Sequence, residues 1–214
     1  MPLLERSTLP NAITVARVIM APVIAVLIFV PGFWPRFLAF VLFLVAAVSD
    51  LWDGYLARKH GWISDFGKLM DPVADKLLLV ATVIPFYLLS QRPGPSGDLP
   101  FIGALPLWVV LVILGREVLI TAVRGLAARR GHVIAAGSAG KRKAVFQNIF
   151  SGSVIFWYAI SDLALAEGWS GPAWRAWVAF NGAVIVATLA AAVALTVFSM
   201  MVYLRDWRRL MRAA

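Results

Sequence analysis

Residues 34–57 read WPRFLAFVLFLVAAVSDLWDGYLA. No charged residue falls between Arg36 and Asp50, and the stretch then ends on two carboxylates, Asp50 and Asp53. A helix rises about 1.5 Å per residue, so roughly twenty apolar residues cross a hydrocarbon core about 30 Å thick. The segment has that length and composition, and predicts a membrane span with acid at one end.

Working outward, five further apolar segments have similar lengths, at 10–30, 66–90, 101–127, 144–166 and 173–204. Pro31-Gly32, the stretch 92–100 and the stretch 167–172 break the chain between them with Pro and Gly, which punctuate regular structure. Over the 214 residues, 61% are hydrophobic and 14% are charged, against about a quarter charged in an ordinary globular chain. That balance excludes a soluble enzyme, a disordered tail and a disulfide-stapled module, and the lack of cysteine removes thiolate chemistry. The expectation is a single membrane domain over 1–214, an all-α bundle of six transmembrane helices.

The formal charge of +9 is explained by topology. Fourteen of the twenty Lys/Arg fall at the N-terminus, between the second and third segments, at or between the fourth and fifth, and after the sixth. Arg36, Arg92 and Arg175 fall on the other side. By the positive-inside rule both termini and the basic loops are cytoplasmic, as an even number of spans requires. The first segment is long, contains Arg17 and lacks a small-residue cleavage site, so it reads as a retained span. No nucleic-acid motif accompanies the charge, and no nucleic-acid partner is expected.

Five of the eleven acidic residues lie between positions 50 and 75. A carboxylate at the centre of a membrane helix costs roughly 2.5–3.5 kcal/mol, so such a cluster needs a cation or a water-filled cavity. Asp50 and Asp53 are three apart and share a helix face, continued by Gly54, Ala57 and Arg58; Gly67, Asp71 and Asp75 repeat every four residues. Two antiparallel helices joined by a short loop at 59–64 bring the four carboxylates into one cavity that opens to the cytoplasm. Oxygen donors of this kind suit hard divalent cations, Mg²⁺ or Mn²⁺, and a pair of them can clamp both oxygens of a phosphoryl displacement. Gly54 and Gly67 let a ligand approach the backbone, and Arg58 offers a bidentate cation for phosphate. Pro72 leaves two options: a third helix that starts near 64–65 and runs through it, or a helix capped by Asp71. Simple pairing with Arg58, Lys59, Lys68 and Lys76 would account for one or two of the acids, not for four in register with two glycines.

The spacing Asp50-x2-Asp53-Gly54-x2-Ala57-Arg58-x8-Gly67-x3-Asp71-x3-Asp75 resembles the signature of the CDP-alcohol phosphatidyltransferases without a departure. The resemblance implies a six-helix membrane enzyme, a homodimer, that moves a phosphatidyl group from a CDP-linked lipid to an alcohol and releases CMP. It implies Asp50, Asp53 and Asp71 as ligands of two Mg²⁺ (or Mn²⁺), Asp75 as ligand and general base, and Gly54, Ala57, Arg58 and Gly67 as the cradle of the CDP moiety. It also implies a bacterial cytoplasmic membrane.

The acceptor must be read elsewhere. Leu9-Pro10-Asn11-x2-Thr14-x2-Arg17, Gly115-Arg116-Glu117-x6-Arg124, and Lys141 with Lys143 resemble the phosphatidylglycerophosphate synthase branch of that family. Its donor is CDP-diacylglycerol and its acceptor glycerol 3-phosphate. Arg116 and Arg124 are two helical turns apart and share a face, where with Lys141 they can grip a phosphate. Asn11, Thr14 and Arg17 are expected on one face toward the polar cavity, although Asn11 would serve equally as a helix cap. Residues 173–204 add little beyond small side chains suited to helix packing, Gly182 among them. Asp162 and Glu167 are expected at the far interface. The rival readings are a sibling transferase acting on serine, phosphatidylglycerol or an inositol phosphate, and a divalent-cation transporter using the acids as its path.

Overall fold

The computed structural model describes residues 8–60, 65–92, 94, 97–129 and 138–213; within these, the side chains at 8–10, 51–60, 65, 68, 128–129, 138–141, 206 and 208–213 lie outside the description. Six helices follow one another: α1 (Thr8–Phe29), α2 (Phe33–His60), α3 (Asp65–Ser90), α4 (Leu107–Arg129), α5 (Ser138–Glu167) and α6 (Pro172–Ala213). The described residues contain no strand, only a bridge between Leu99 and Gly103. Five of the helices are long and apolar enough to cross a membrane. The remaining one, α4, has the length of a span but carries Arg116, Glu117 and Arg124 within it. Side chains such as Leu44, Leu111, Val118 and Phe180 are exposed along the helices. In water such faces would drive association, whereas in a bilayer they are solvated by lipid. The chain is an integral membrane, all-α bundle.

The helix ends differ from the sequence expectation in places. Thr8 begins α1, so Asn11 lies inside the helix and is not its cap. Asp65 begins α3, which continues through Pro72, and the capping alternative for Asp71 falls away. The fourth helix begins at Leu107, six residues later than the expected 101. Pro100, Gly103 and Pro106 explain the delay. Leu99 and Gly103 exchange backbone hydrogen bonds of 3.0 and 2.8 Å across a tight turn, and Phe101 and Gly103 both adopt positive φ. The Phe101 ring packs on Gly182 of α6, where a Cβ would come within 2.8 Å of it. Gly182 therefore seats a connecting turn on a helix.

The helices alternate in direction. The principal packing partners are α5 with α6, α3 with α1, α2 with α1 and with α5, and α6 with α4. Ile24, Phe43, Phe86, Phe150, Val154 and Tyr158 form the middle of the core. Below it, toward the ends of α1, α2 and α3 that carry the motif, the interior turns polar.

At the opposite end stands a buried ion pair. Arg36 Nη1 donates to Asp162 Oδ1 at 2.7 Å, and its Nε donates to the Ile28 carbonyl at 3.3 Å. The guanidinium also lies 5.3 Å from the centre of the Tyr158 ring. Asp162 further accepts the backbone N–H of Gly32, whose φ of 114° turns the chain between α1 and α2. Asp162, at the far end of α5 as expected, is the acceptor that ties the α1–α2 turn to α5.

Candidate functional site

The site is assembled from three neighbouring helices on one side and three on the other. On α1, Thr14 and Arg17 lie three residues apart, share a face, and are 0% and 2% exposed. Each meets a carboxylate of the motif. Thr14 Oγ1 donates to Asp71 Oδ1 at 2.8 Å. Arg17 reaches Asp50 of α2 through Nη1 at 2.7 Å and donates to Asp75 of α3 through Nη2. Asp50 and Asp75 thus converge on one cation although they belong to different helices, as an antiparallel pair with a short loop requires.

The backbones of Asp53, Gly54, Ala57 and Arg58 continue α2, and that of Gly67 lies near the start of α3. The side chains of Asp53, Ala57 and Arg58, and the surroundings of Gly54, lie outside the described residues, as does the Lys141 side chain. Among the described residues no three acidic, histidine or cysteine side chains form a ready metal cluster. The arrangement nevertheless fits a hard cation. The donors are carboxylate oxygens, and the point where Asp50 and Asp75 meet holds a positive charge. The Nε and Nη1 atoms of that guanidinium are buried without a hydrogen-bond acceptor among the described residues. Its contact with Asp50 is therefore an ion pair rather than an aligned hydrogen bond, and the guanidinium leaves the carboxylates with unused lone pairs.

The opposite wall comes from α4, α5 and α6. Glu117 Oε1 accepts from Arg116 Nη1 at 3.0 Å and from Lys143 Nζ. Arg124 donates to the hydroxyl of Tyr203, and both guanidiniums face that ring, Arg116 at 5.9 Å and Arg124 at 5.1 Å from its centre. Stacking on an aromatic face holds an arginine while leaving N–H groups for a ligand. Arg116 is 7% exposed, and its Nε has no acceptor among the described residues.

Between the two walls lies a cavity of about 340 Å³, with Arg17, Asp50 and Asp75 on one side and Arg116, Arg124 and Lys143 on the other. Among the described residues its lining carries five basic and three acidic side chains, a formal surplus of two positive charges. A small dianion with a phosphate group complements that balance.

Some members of this site go beyond the sequence reading. Lys143, named there beside Lys141 without a role, faces inward on α5 and is 5% exposed. Its signal in the sequence is the polar series Lys143, Gln147, Ser151 at intervals of four within an apolar segment. Tyr203 comes from the region read as generic helix. A tyrosine among aliphatic residues one turn before the terminal basic run was the only hint.

The sequence model of the CDP-alcohol phosphatidyltransferase family matches residues 7–207. Among curated proteins, CDP-diacylglycerol–glycerol-3-phosphate 3-phosphatidyltransferase 2 of Arabidopsis thaliana is 37% identical over 149 residues, covering 66% of this chain and 61% of its own. The Bacillus subtilis (strain 168) CDP-diacylglycerol–glycerol-3-phosphate 3-phosphatidyltransferase is 35% identical over 147 residues, 63% of this chain and 69% of its own. A cardiolipin synthase (CMP-forming) of Oryza sativa subsp. japonica is 32% identical over 213 residues, 96% of this chain and 59% of its own. The matches therefore span about three-fifths to two-thirds of these relatives' lengths.

Proposed function

The chain belongs to the CDP-alcohol phosphatidyltransferase family, and from that premise we propose that it transfers the phosphatidyl group of CDP-diacylglycerol to glycerol 3-phosphate, giving phosphatidylglycerophosphate and CMP. The observation that carries the acceptor is the pair of walls: carboxylates with Arg17 on one, and three cations, Arg116, Lys143 and Arg124, gathered on the other around one cavity whose described lining is net positive. The phosphate of glycerol 3-phosphate is a dianion near neutral pH, and charge-assisted bonds from guanidinium and ammonium groups are its natural partners. Glu117 holds Arg116 and Lys143 together, and the Tyr203 ring backs Arg116 and Arg124, so the cations are set before the ligand arrives.

With the phosphate on that wall, the acceptor's C1 hydroxyl turns toward the carboxylates. Asp75 accepts its proton. The hydroxyl oxygen attacks the phosphorus that carries diacylglycerol, and the bond from that phosphorus to the CMP oxygen breaks, with CMP taking the electron pair. Arg17 orients Asp75, and Thr14 orients Asp71. Asp50, Asp53, Asp71 and Asp75 would hold two divalent cations, Mg²⁺ or Mn²⁺, which supply charge neutralisation to the diphosphate and the departing CMP. Gly54, Ala57, Arg58 and Gly67 are the proposed seat of the CDP moiety. Among the described residues no Ser or His lines the cavity beside Asp50 and Asp75 other than Ser151, which faces Thr82, so direct transfer is favoured over a phosphatidyl-enzyme. We place the protein as a homodimer in a bacterial cytoplasmic membrane with both termini in the cytoplasm, where the basic ends of the helices lie.

A second acceptor, phosphatidylglycerol, is raised by the likeness to the rice cardiolipin synthase along 96% of the chain. A phosphodiester carries one negative charge and would leave the cationic wall incompletely neutralised. The test is CMP release from CDP-diacylglycerol by the purified chain with glycerol 3-phosphate, phosphatidylglycerol, serine or an inositol phosphate. Glycerol 3-phosphate is expected to drive release at least tenfold faster than the others; faster release with any of them would overturn the assignment.

A further inference from the structure

Along α5, Lys143, Gln147 and Ser151 follow at intervals of four, about 6 Å apart on one face, and all three line the cavity. The two outer members have partners. Lys143 donates to Glu117, and Ser151 Oγ lies 3.4 Å from Thr82 Oγ1. For the middle member, Gln147, which is 5% exposed, Nε2 has no hydrogen-bond partner among the described residues. A buried amide with an unmade hydrogen bond costs free energy that a core position would not tolerate without reason. It stands beside the cations proposed to hold the phosphate, on the helix that forms one wall of the cavity.

A neutral amide adds no charge to a wall that already holds three cations, so a further phosphate contact would use it poorly. A hydroxyl suits it better. It both donates and accepts, and satisfies whichever end of the amide faces it. Resting on the acceptor assignment above, glycerol 3-phosphate spans from the cations to the carboxylates and has one group left over between its ends, the C2 hydroxyl. We propose that Gln147 is a specificity-determining residue that binds the C2 hydroxyl of the acceptor. A site built to hydrogen-bond a substrate hydroxyl rejects the analogue that lacks it, because its own polar group is then left buried and unpaired.

The test compares glycerol 3-phosphate with 3-hydroxypropyl phosphate, the same acceptor without that hydroxyl, in CMP release by the wild type and by Gln147→Leu. The wild type is expected to favour glycerol 3-phosphate at least ~10-fold in kcat/KM, with most of the difference in the KM of the acceptor. Gln147→Leu should bring the ratio to within about twofold of unity, through loss on glycerol 3-phosphate and retention on the analogue. An unchanged ratio in the variant, an equal loss on both acceptors, or a wild type that does not distinguish them would each overturn the proposal. If Gln147→Leu does not elute as a folded, detergent-soluble protein, Gln147→Met, closer in shape, is read by the same ratio. Absence of CMP release from the wild type with both acceptors would instead strike down the acceptor assignment itself, and this reading with it.

Discussion

Arg17 and Arg36 are both buried within spans, at 2% and 3% exposure, and stand toward opposite ends of the bundle. Their surroundings differ. Arg36 has a carboxylate, two carbonyls and an aromatic face, which together answer its charge and its N–H groups. Arg17 has more carboxylate than it can engage. Two acids converge on it, yet among the described residues its Nε and Nη1 are buried without hydrogen-bond acceptors. An ionisable side chain inside a membrane is costly and therefore suggests function, but the pair shows that cost alone does not discriminate. A satisfied network fastens helices together. An unsatisfied one, beside a cavity with other orphaned polar atoms, is prepared for a ligand.

The largest effect expected from breaking this contrast lies on the acidic side. Asp71→Asn should lower CMP release by about 10³-fold or more, within the range of lost acid–base and metal-assisted catalysis, with the protein still inserted and eluting normally. Activity within tenfold of wild type would undo the functional reading of that end. The two arginines can then be set against each other. Arg36→Ala leaves Asp162 buried and unpaired, and should destabilise by about 3–5 kcal/mol, seen as a lower melting temperature in detergent with near-normal kcat/KM in the folded fraction. Arg17→Ala should do the reverse, with a small melting shift and a loss of activity of about 10²-fold. Interchanged outcomes would erase the distinction.

Smaller changes sharpen the cationic wall. Arg116→Ala should raise the KM for glycerol 3-phosphate about 10- to 100-fold through loss of charge-assisted bonds, leaving the KM for CDP-diacylglycerol near its original value. Equal shifts in both would place Arg116 outside the acceptor's pocket. Tyr203→Phe keeps the ring behind Arg116 and Arg124 and removes only the hydroxyl that Arg124 donates to. A loss of about 3- to 10-fold is expected. A loss as large as that of Arg116→Ala would make the hydroxyl, and not the ring, the support of that wall.

The spans were legible because hydrocarbon thickness imposes a length that any apolar run of that size reveals. The acidic motif was legible for a related reason: charge at such positions needs an explanation, and a period of three or four names the shared face. The beginning of α4 was not legible. Residues 101–106 are apolar enough to extend a span, and only the turn closed by Leu99 and Gly103 withholds them. The pairing of Asp162 was not legible because its partner, Arg36, is 126 positions away in sequence, and no local pattern links them. Gln147 and Tyr203, and the part Lys143 plays, became readable only once the packing of α4, α5 and α6 turned them to a common cavity. Local periodicity tells which residues share a face; it does not tell which faces meet.

The most direct test of the central claim, that carboxylates of α2 and α3 hold ions that grip a nucleotide-lipid's diphosphate, is Mn²⁺ binding to the purified chain followed by electron paramagnetic resonance. Saturable binding that tightens when CDP-diacylglycerol is added, and disappears in both Asp50→Asn and Asp71→Asn, is the predicted result. Mn²⁺ binding that is unaffected by either substitution, or indifferent to the nucleotide lipid, would contradict it.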